Sequence, residues 1–320
     1  MPRDLLSLRM IVVAGKGGTG RTTVAAALAL VAARRGRRTL LAQVNAKDRL
    51  GTLLGVPVGE QVVPVREHLD AVNMNPTAAL REYGLMILRY ETIYKAVLEN
   101  RMIKGFLRAI PGLDDYSMLG KAWWHTTEED AAGRPKYDLV VLDAPATGHA
   151  VTMLRLPQAI LDTVPEGPLT KTARRVHELL GDASRCAMLL VTLAEDLPVA
   201  EAIDLHHQNE QLLKIPLGAV VANQLWPADF DGGDGIYEVL ERSGCAHADA
   251  VLEPLCERAR ITHARYQLNQ HYLEVLRREI LAPLWRLPLL FRPTFGTAEL
   301  EEIADLLAAQ LPPGDANGRS

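Results

Sequence analysis

One nine-residue run restricts the folds open to this chain more than any other. Gly15-Lys16-Gly17-Gly18-Thr19-Gly20-Arg21-Thr22-Thr23 lies between an apolar, β-branched stretch (Leu8 to Ala14) and an alanine- and leucine-rich stretch (Thr22 to Arg35) that stops at Gly36. Strand, glycine-dense turn and helix in direct succession suit the capture of an anion. Glycines let backbone N–H groups turn inward at conformations that a side chain forbids. The helix N-terminus adds partial positive charge. The Thr22 hydroxyl is placed to ligate Mg²⁺ beside bound phosphates. The run therefore reads as a phosphate-binding loop lined by Gly15, Lys16, Gly17, Gly18, Thr19, Gly20, Arg21, Thr22 and Thr23. A glycine-rich turn with no ligand is the alternative, and the strand–loop–helix setting argues against it.

The same alternation continues along the chain. Thr39–Val44, Leu69–Asn73, Tyr137–Leu142, Ala187–Leu193 and Leu217–Ala222 read as buried strands, with helical sequence between them. This pattern predicts an α/β fold with a doubly wound parallel sheet. From about Pro76 to Glu129 the strand rhythm is replaced by helical sequence, which reads as an inserted helical subdomain (about 76–130). A single domain over 1–311 is expected, closed by a helix at Glu299–Leu311 and followed by a flexible tail at 312–320.

Composition narrows the partners. Lys plus Arg is 35 and Asp plus Glu is 39, a net charge of −4, so nucleic acid is not the expected ligand. The longest apolar run, Val24 to Ala33, falls well short of the ~20 residues that span a bilayer, so no integral membrane segment is expected. The three cysteines, Cys186, Cys245 and Cys256, are widely spaced and odd in number. Together with the lack of a signal-peptide pattern, this points to the reducing cytoplasm.

The loop resembles the deviant phosphate loop GKGGxGKTT of the ATPases related to nitrogenase iron protein, septum-site and chromosome-partition proteins, and arsenite pumps. That resemblance implies a dimer in which Lys16 crosses to the partner's phosphates. Where that class has its second lysine this chain has Arg21, which keeps the charge but is longer, planar and forked. The segment from Tyr137 to His149 (YDLVVLDAPATGH), continuing to Leu154-Arg155-Leu156-Pro157, is similar to an element of the arsenite-pump and tail-anchored-protein-targeting ATPases. Asp143 ends a strand, where its carboxylate can hold Mg²⁺ through water. Gly148 would let a loop approach the γ-phosphate and move after hydrolysis. Three looser matches follow. Val191 to Glu201 resembles a VTxPExxPVxET stretch. Val220 to Gln224 resembles a strand end whose asparagine, here Asn223, reads adenine. Pro288 to Gly296 resembles a loop that closes over the base. A guanine reader would want Asn/Thr-Lys-x-Asp, which Asn223-Gln224-Leu225-Trp226 is not, so ATP with Mg²⁺ is the expected cofactor.

The first switch departs from the pattern. Asn45, in Val44-Asn45-Ala46-Lys47-Asp48-Arg49-Leu50, falls where the family commonly has Asp. An amide can orient an attacking water but cannot take its proton, and Asp48 can serve instead only if the loop folds differently. Positioning and charge stabilisation dominate phosphoryl transfer, so turnover need not be lost. The resemblance thus implies Lys16, Asn45 and Asp143 as catalytic residues, and Thr22 and Asp143 as the metal site. Two readings stand: an ATPase, homodimeric or paired with a homologue, whose closure is coupled to a client, or a non-hydrolysing nucleotide-binding subunit that relies on an intact homologue. Replacing Asn45 with Asp is expected to raise the hydrolysis rate of the purified chain.

A cluster like that of the resembled nitrogenase iron protein would need cysteines between the first switch and just past Asp143, where this chain has none; the three cysteines offer little to a metalloid, and Cys186, which opens an apolar strand, reads as a core residue. Met74, Met86, Met102 and Met118, with Leu85, Ile87, Leu88, Phe106, Leu107, Trp123 and Trp124, supply flexible and bulky apolar surface, and the resemblance to the tail-anchored-protein-targeting ATPases implies a groove there for a hydrophobic protein client on the helical subdomain. The same side chains would equally suit ordinary core packing, and periodicity leaves both open.

Overall fold

The computed structural model describes residues 4–44, 50–76, 79, 113–227 and 252–313. Among these, β1 (Met10–Gly15) leads through the glycine loop into α1 (Arg21–Arg34), followed by β2 (Thr39–Val44), α2 (Leu50–Leu54), β3 (Val63–Arg66) and β4 (Leu69–Met74). Then come α3 (Leu113–His125), β5 (Leu139–Asp143), α4 (Thr147–Thr163), α5 (Pro168–Gly181), β6 (Cys186–Leu193) and α6 (Asp196–Gln208). β7 (Leu217–Leu225), α7 (Leu252–Glu279), β8 (Leu284–Pro288) and α8 (Thr297–Ala308) complete the order.

The eight strands form one sheet in the order β3-β4-β2-β5-β1-β6-β7-β8. All neighbours are parallel except β3 and β4, which pair antiparallel at the edge. Every residue of β1, β2 and β5 is buried, because helices cover both faces. On one face the core gathers Met118 and Trp123 of α3, Met153 of α4, Val176 of α5, Val199 of α6 and Leu273 of α7. On the other it gathers α1, α2 and α8, through residues such as Leu28, Leu53 and Leu300. The doubly wound α/β sheet read from the sequence is thus the fold, with an antiparallel edge added.

The apolar run of α1 is explained by this packing. Every residue from Val24 to Ala33 is buried, with the sheet on one side and α8 and α2 on others, so the helix needs no polar face. Among the described residues no helix is long and apolar enough to cross a membrane.

Two strands escaped the sequence reading. Val63–Arg66 carries Pro64 and alternates half-buried with exposed positions, which a proline tolerates only at a sheet edge. Leu284–Pro288 is short and ends in proline, so the stretch expected to begin a loop at Pro288 instead finishes the opposite edge strand. The last helix spans Thr297–Ala308 rather than Glu299–Leu311. Of the expected tail, Pro312 is tied back by a hydrogen bond from Arg35 Nη1 to its carbonyl at 2.9 Å, and 314–320 lie outside the described residues.

The client-groove reading loses part of its lining. Met74 is fully buried in β4, and Met118 and Trp123 are buried on α3 beside Tyr116 and Leu119, while Trp124 alone of these is exposed. These side chains pack the core and are unavailable to a client. Met86, Met102, Leu85, Ile87, Leu88, Phe106 and Leu107 lie outside the described residues. At the foot of α3, His125 Nδ1 lies 2.8 Å from Glu128 Oε2, and Lys136 Nζ donates to Glu128 Oε1 at 2.8 Å. The hydrogen bond from His125, aided by Lys136, pulls the Glu128 carboxyl down to about 2. A depressed folded-state pKa contributes stability above the ordinary carboxylate value of 4.5 that is lost as pH falls toward 2. Glu128→Gln is therefore expected to flatten the loss of thermal stability between pH 4.5 and 2, measured by melting at each pH.

Candidate active site

The glycine loop is shaped before any ligand arrives. Gly15 has φ +152, and a Cβ there would stand 2.1 Å from the carbonyl oxygen of Val191, its register partner on β6. Only glycine fits where β1 presses on its neighbour. Gly20, at φ +87, would bring a Cβ to 2.2 Å from Asn223 Nδ2. That amide donates to the Thr19 carbonyl at 2.8 Å, and the buried Thr19 hydroxyl donates to the Lys16 carbonyl at 2.9 Å. The asparagine expected to read a base is thus tied to the loop itself. Gly17 has no close neighbour, and Gly18 lines an open cavity.

Beneath the loop lies a buried polar group. Thr22 Oγ1 donates to Asp143 Oδ2 at 2.7 Å, and Gln43 Nε2 donates to the same oxygen at 3.0 Å. Gln43 and Asp143 are cross-strand partners on β2 and β5. Asp143 Oδ1 and Gln43 Oε1 are both buried without a hydrogen-bond partner among the described residues. Burial pushes the Asp143 carboxyl up, against the hydrogen bonds from Thr22 and Gln43 and the charge of Arg21. A bare buried carboxylate oxygen beside a hydroxyl is a hard, all-oxygen donor set of the kind Mg²⁺ takes.

The two loop cations are both engaged within the chain. Arg21 Nη1 donates to the carbonyls of Ala144 and Pro145, just past Asp143, and burial draws its pKa down. Lys16 Nζ lies 2.6 Å from Glu201 Oε1 on α6. Both side chains of that pair remain about one-third exposed, and Glu201 Oε2 is buried without a hydrogen-bond partner among the described residues.

A cavity of about 550 Å³ opens from the loop, within the range of small-molecule sites. Gly20, Arg21, Thr22 and Thr23 form one end; Pro288, Leu290 and Phe295 form an apolar wall. Asn223 and Gln224, the latter at φ +55, close the end of β7. Gly148 sits in the first turn of α4, exposed and with open space around it, not in a loop as expected. The strand-to-helix connection is instead Ala144 to Ala146. Asn45 and Asp48 lie outside the described residues.

Three residues here went unassigned in the sequence reading. Gln43 carried a signal, a single amide inside the apolar strand TLLAQV. Glu201 and Phe295 lay within recognised segments, but nothing in their spacing gave them a partner. Cys186 is buried, with its thiol pushed up to about 12 by burial, as befits a core residue. Among the described residues no three metal-ligating side chains cluster.

Comparison with known proteins bears on the same segments. The family model described as anion-transporting ATPase matches residues 8–166. ATPase BagA of Mycobacterium tuberculosis is 32% identical over 239 residues, covering 73% of this chain and 70% of that protein. A protein of Halobacterium salinarum named as an arsenical pump-driving ATPase is 28% identical over 265 residues, 77% of this chain and 40% of its own length. ATPase ASNA1 homolog 1 of Paramecium tetraurelia is 26% identical over 153 residues, covering 47% of this chain and 44% of that protein.

Proposed function

Because the chain belongs to the anion-transporting ATPase family, we propose that it binds ATP with Mg²⁺ and hydrolyses it at a site completed by a second copy or a homologue. The observation that carries this reading is the buried Thr22–Asp143 pair directly beneath a preshaped phosphate loop. Backbone N–H groups of Gly17 to Thr22 hold the β- and γ-phosphates, aided by the α1 N-terminus. The Thr22 hydroxyl directly, and the unpartnered Asp143 oxygen through a water, would hold Mg²⁺, which would neutralise charge building on the phosphates. Asn45 orients the attacking water. The apolar wall at Pro288, Leu290 and Phe295 receives the base.

Closure follows from the ion pair. Lys16 leaves Glu201 and turns to the partner's phosphates, so that ATP binding and association drive one another. Arg21 leaves the Ala144 and Pro145 carbonyls for phosphate, so nucleotide and the segment after Asp143 compete for one guanidinium. Hydrolysis returns that segment to Arg21 and shifts α4, which follows it. A hydrophobic or other client would sense the shift through the helical subdomain. The second reading, a nucleotide-gated subunit that turns over little by itself, is favoured by that same Arg21 engagement, since a loop cation held elsewhere supports binding more readily than catalysis.

Hydrolysis of ATP by the purified chain with Mg²⁺ tests the proposal, with chelator as the control. Turnover that stops on chelation supports the first reading, and tight binding without turnover supports the second. Failure to bind ATP would remove both. The base wall makes a separate expectation: Phe295→Ala should weaken ATP binding roughly tenfold, a stacking loss of about 1–3 kcal/mol, while leaving tripolyphosphate binding unchanged by calorimetry. Equal weakening of both ligands would take Phe295 out of the base site.

A further inference from the structure

Gln43 sits where a strand of this sheet would ordinarily bury an apolar side chain, yet it is only 2% exposed and carries a full amide. Burying an amide is costly unless both its ends are used. One end is used: Nε2 donates to Asp143 Oδ2 at 3.0 Å and reaches Thr22 Oγ1 at 3.5 Å. That contact also settles which way the amide faces, because the opposite orientation would set oxygen against carboxylate. The other end, Oε1, has no hydrogen-bond partner among the described residues, and neither has Asp143 Oδ1.

The two bare oxygens belong to register partners on adjacent strands, whose side chains point to the same face of the sheet side by side. With the Asp143 carboxyl ionised, as a nearby Mg²⁺ would favour, both are acceptors and neither can satisfy the other. What both lack is a group with two protons to give. A Mg²⁺-bound water is such a group: Mg²⁺ gives up its waters reluctantly, and those waters are polarised, strong donors.

We propose that Gln43 is a positioning residue of the metal site, its side-chain carbonyl sharing with Asp143 Oδ1 a water bound to Mg²⁺. This rests on the nucleotide·Mg²⁺ reading above and adds to it a residue on β2, outside the phosphate loop and the Asp143 segment. The amide then has two duties: its N–H holds Asp143 Oδ2 and so leaves Oδ1 free, and its carbonyl receives a proton of the metal's water.

The test is calorimetric binding of a non-hydrolysable ATP analogue, with Mg²⁺ and with EDTA, to the full chain and its variants. Gln43→Met keeps length but removes both hydrogen-bonding ends. Gln43→Glu keeps an acceptor at Oε1 and, as a carboxyl sharing one proton with Asp143, keeps a donor toward Oδ2. In the unaltered chain Mg²⁺ should tighten binding. In Gln43→Met that gain should shrink roughly tenfold, the size expected for a hydrogen bond to a charged group, while the affinity in EDTA stays within about twofold. In Gln43→Glu the gain should persist. A Met variant that keeps the full Mg²⁺ gain overturns the proposal. So does a Glu variant that loses the gain as Met does, for it retains both hydrogen-bonding ends. Should Gln43→Met not fold, Gln43→Leu takes its place with the same expectations. If the unaltered chain binds the analogue equally with and without Mg²⁺, this inference fails while nucleotide binding stands; if it binds in neither condition, both fail.

Discussion

Lys16→Ala is expected to leave the chain folded and able to bind ATP, to abolish ATP-driven association, and to lower turnover on the order of 10³-fold. The fold is spared because Lys16 meets its partner Glu201 at a site where both side chains are one-third exposed, and such pairs contribute little to stability. Under the proposed shared site catalysis would not be spared, since a cation delivered from a second subunit would act on charge that develops only in the transition state. Glu201→Gln gives the complementary expectation. Releasing Lys16 from its 2.6 Å contact should favour association at lower ATP concentration, because the lysine no longer has to exchange an ion pair for the partner's phosphates. Sedimentation with and without ATP reads both variants. A Lys16→Ala chain that still associates on ATP addition would mean that the lysine acts within its own subunit.

Asp143→Asn should separate stability from function. At neutral pH the carboxylate is 4% exposed and carries one oxygen with no partner among the described residues. The hydroxyl of Thr22 and the amide of Gln43 both reach the other oxygen, which an asparagine carbonyl can supply equally well. Removing a buried charge whose compensation is incomplete is expected to raise the melting temperature by roughly 1–2 °C, the shift for about 1 kcal/mol in a chain of 320 residues. The same change removes the unpartnered anionic oxygen proposed to serve Mg²⁺, so on that proposal turnover should fall at least about 10³-fold. Nucleotide binding in EDTA should be unaffected. A lower melting temperature would mean that the carboxylate is held by interactions worth more than its burial costs, and retained turnover would take Asp143 out of the metal site.

Much of the sheet was legible because parallel strands covered on both faces must be apolar along their whole length. Thr39–Val44 was read with its observed bounds, and the strand before the loop differs only at its ends. β3 and β8 were missed for the opposite reason. Edge strands need only one covered flank, and both contain proline, which reads as a strand breaker. The strand–loop–helix geometry and the strand-end place of Asp143 were legible because glycines in a row and an acid closing an apolar run are local signals. Partnership across the chain was not legible. Lys16 and Glu201 are 185 residues apart, and no local pattern sets the pitch of α6 that brings them together. Asn223 was placed near the end of β7, where it lines the cavity; that its Nδ2 also donates to the Thr19 carbonyl, because β7 passes close behind the loop, was not legible. Gly148 misled for a simple reason: a glycine after a strand suggests a loop, whereas here helix α4 has already begun at Thr147. The methionines split by topology, since Met74 lies in a strand and Met118 on the helix face turned to the sheet.

Closure of two subunits over a shared ATP·Mg²⁺ site, with hydrolysis there, is tested most directly by ATP hydrolysis of the purified chain followed together with its mass in solution. Mg²⁺-dependent turnover, a doubled mass in ATP, and loss of both in Lys16→Ala are the expected results. Turnover by a chain that stays a monomer at every ATP concentration would contradict closure over a shared site.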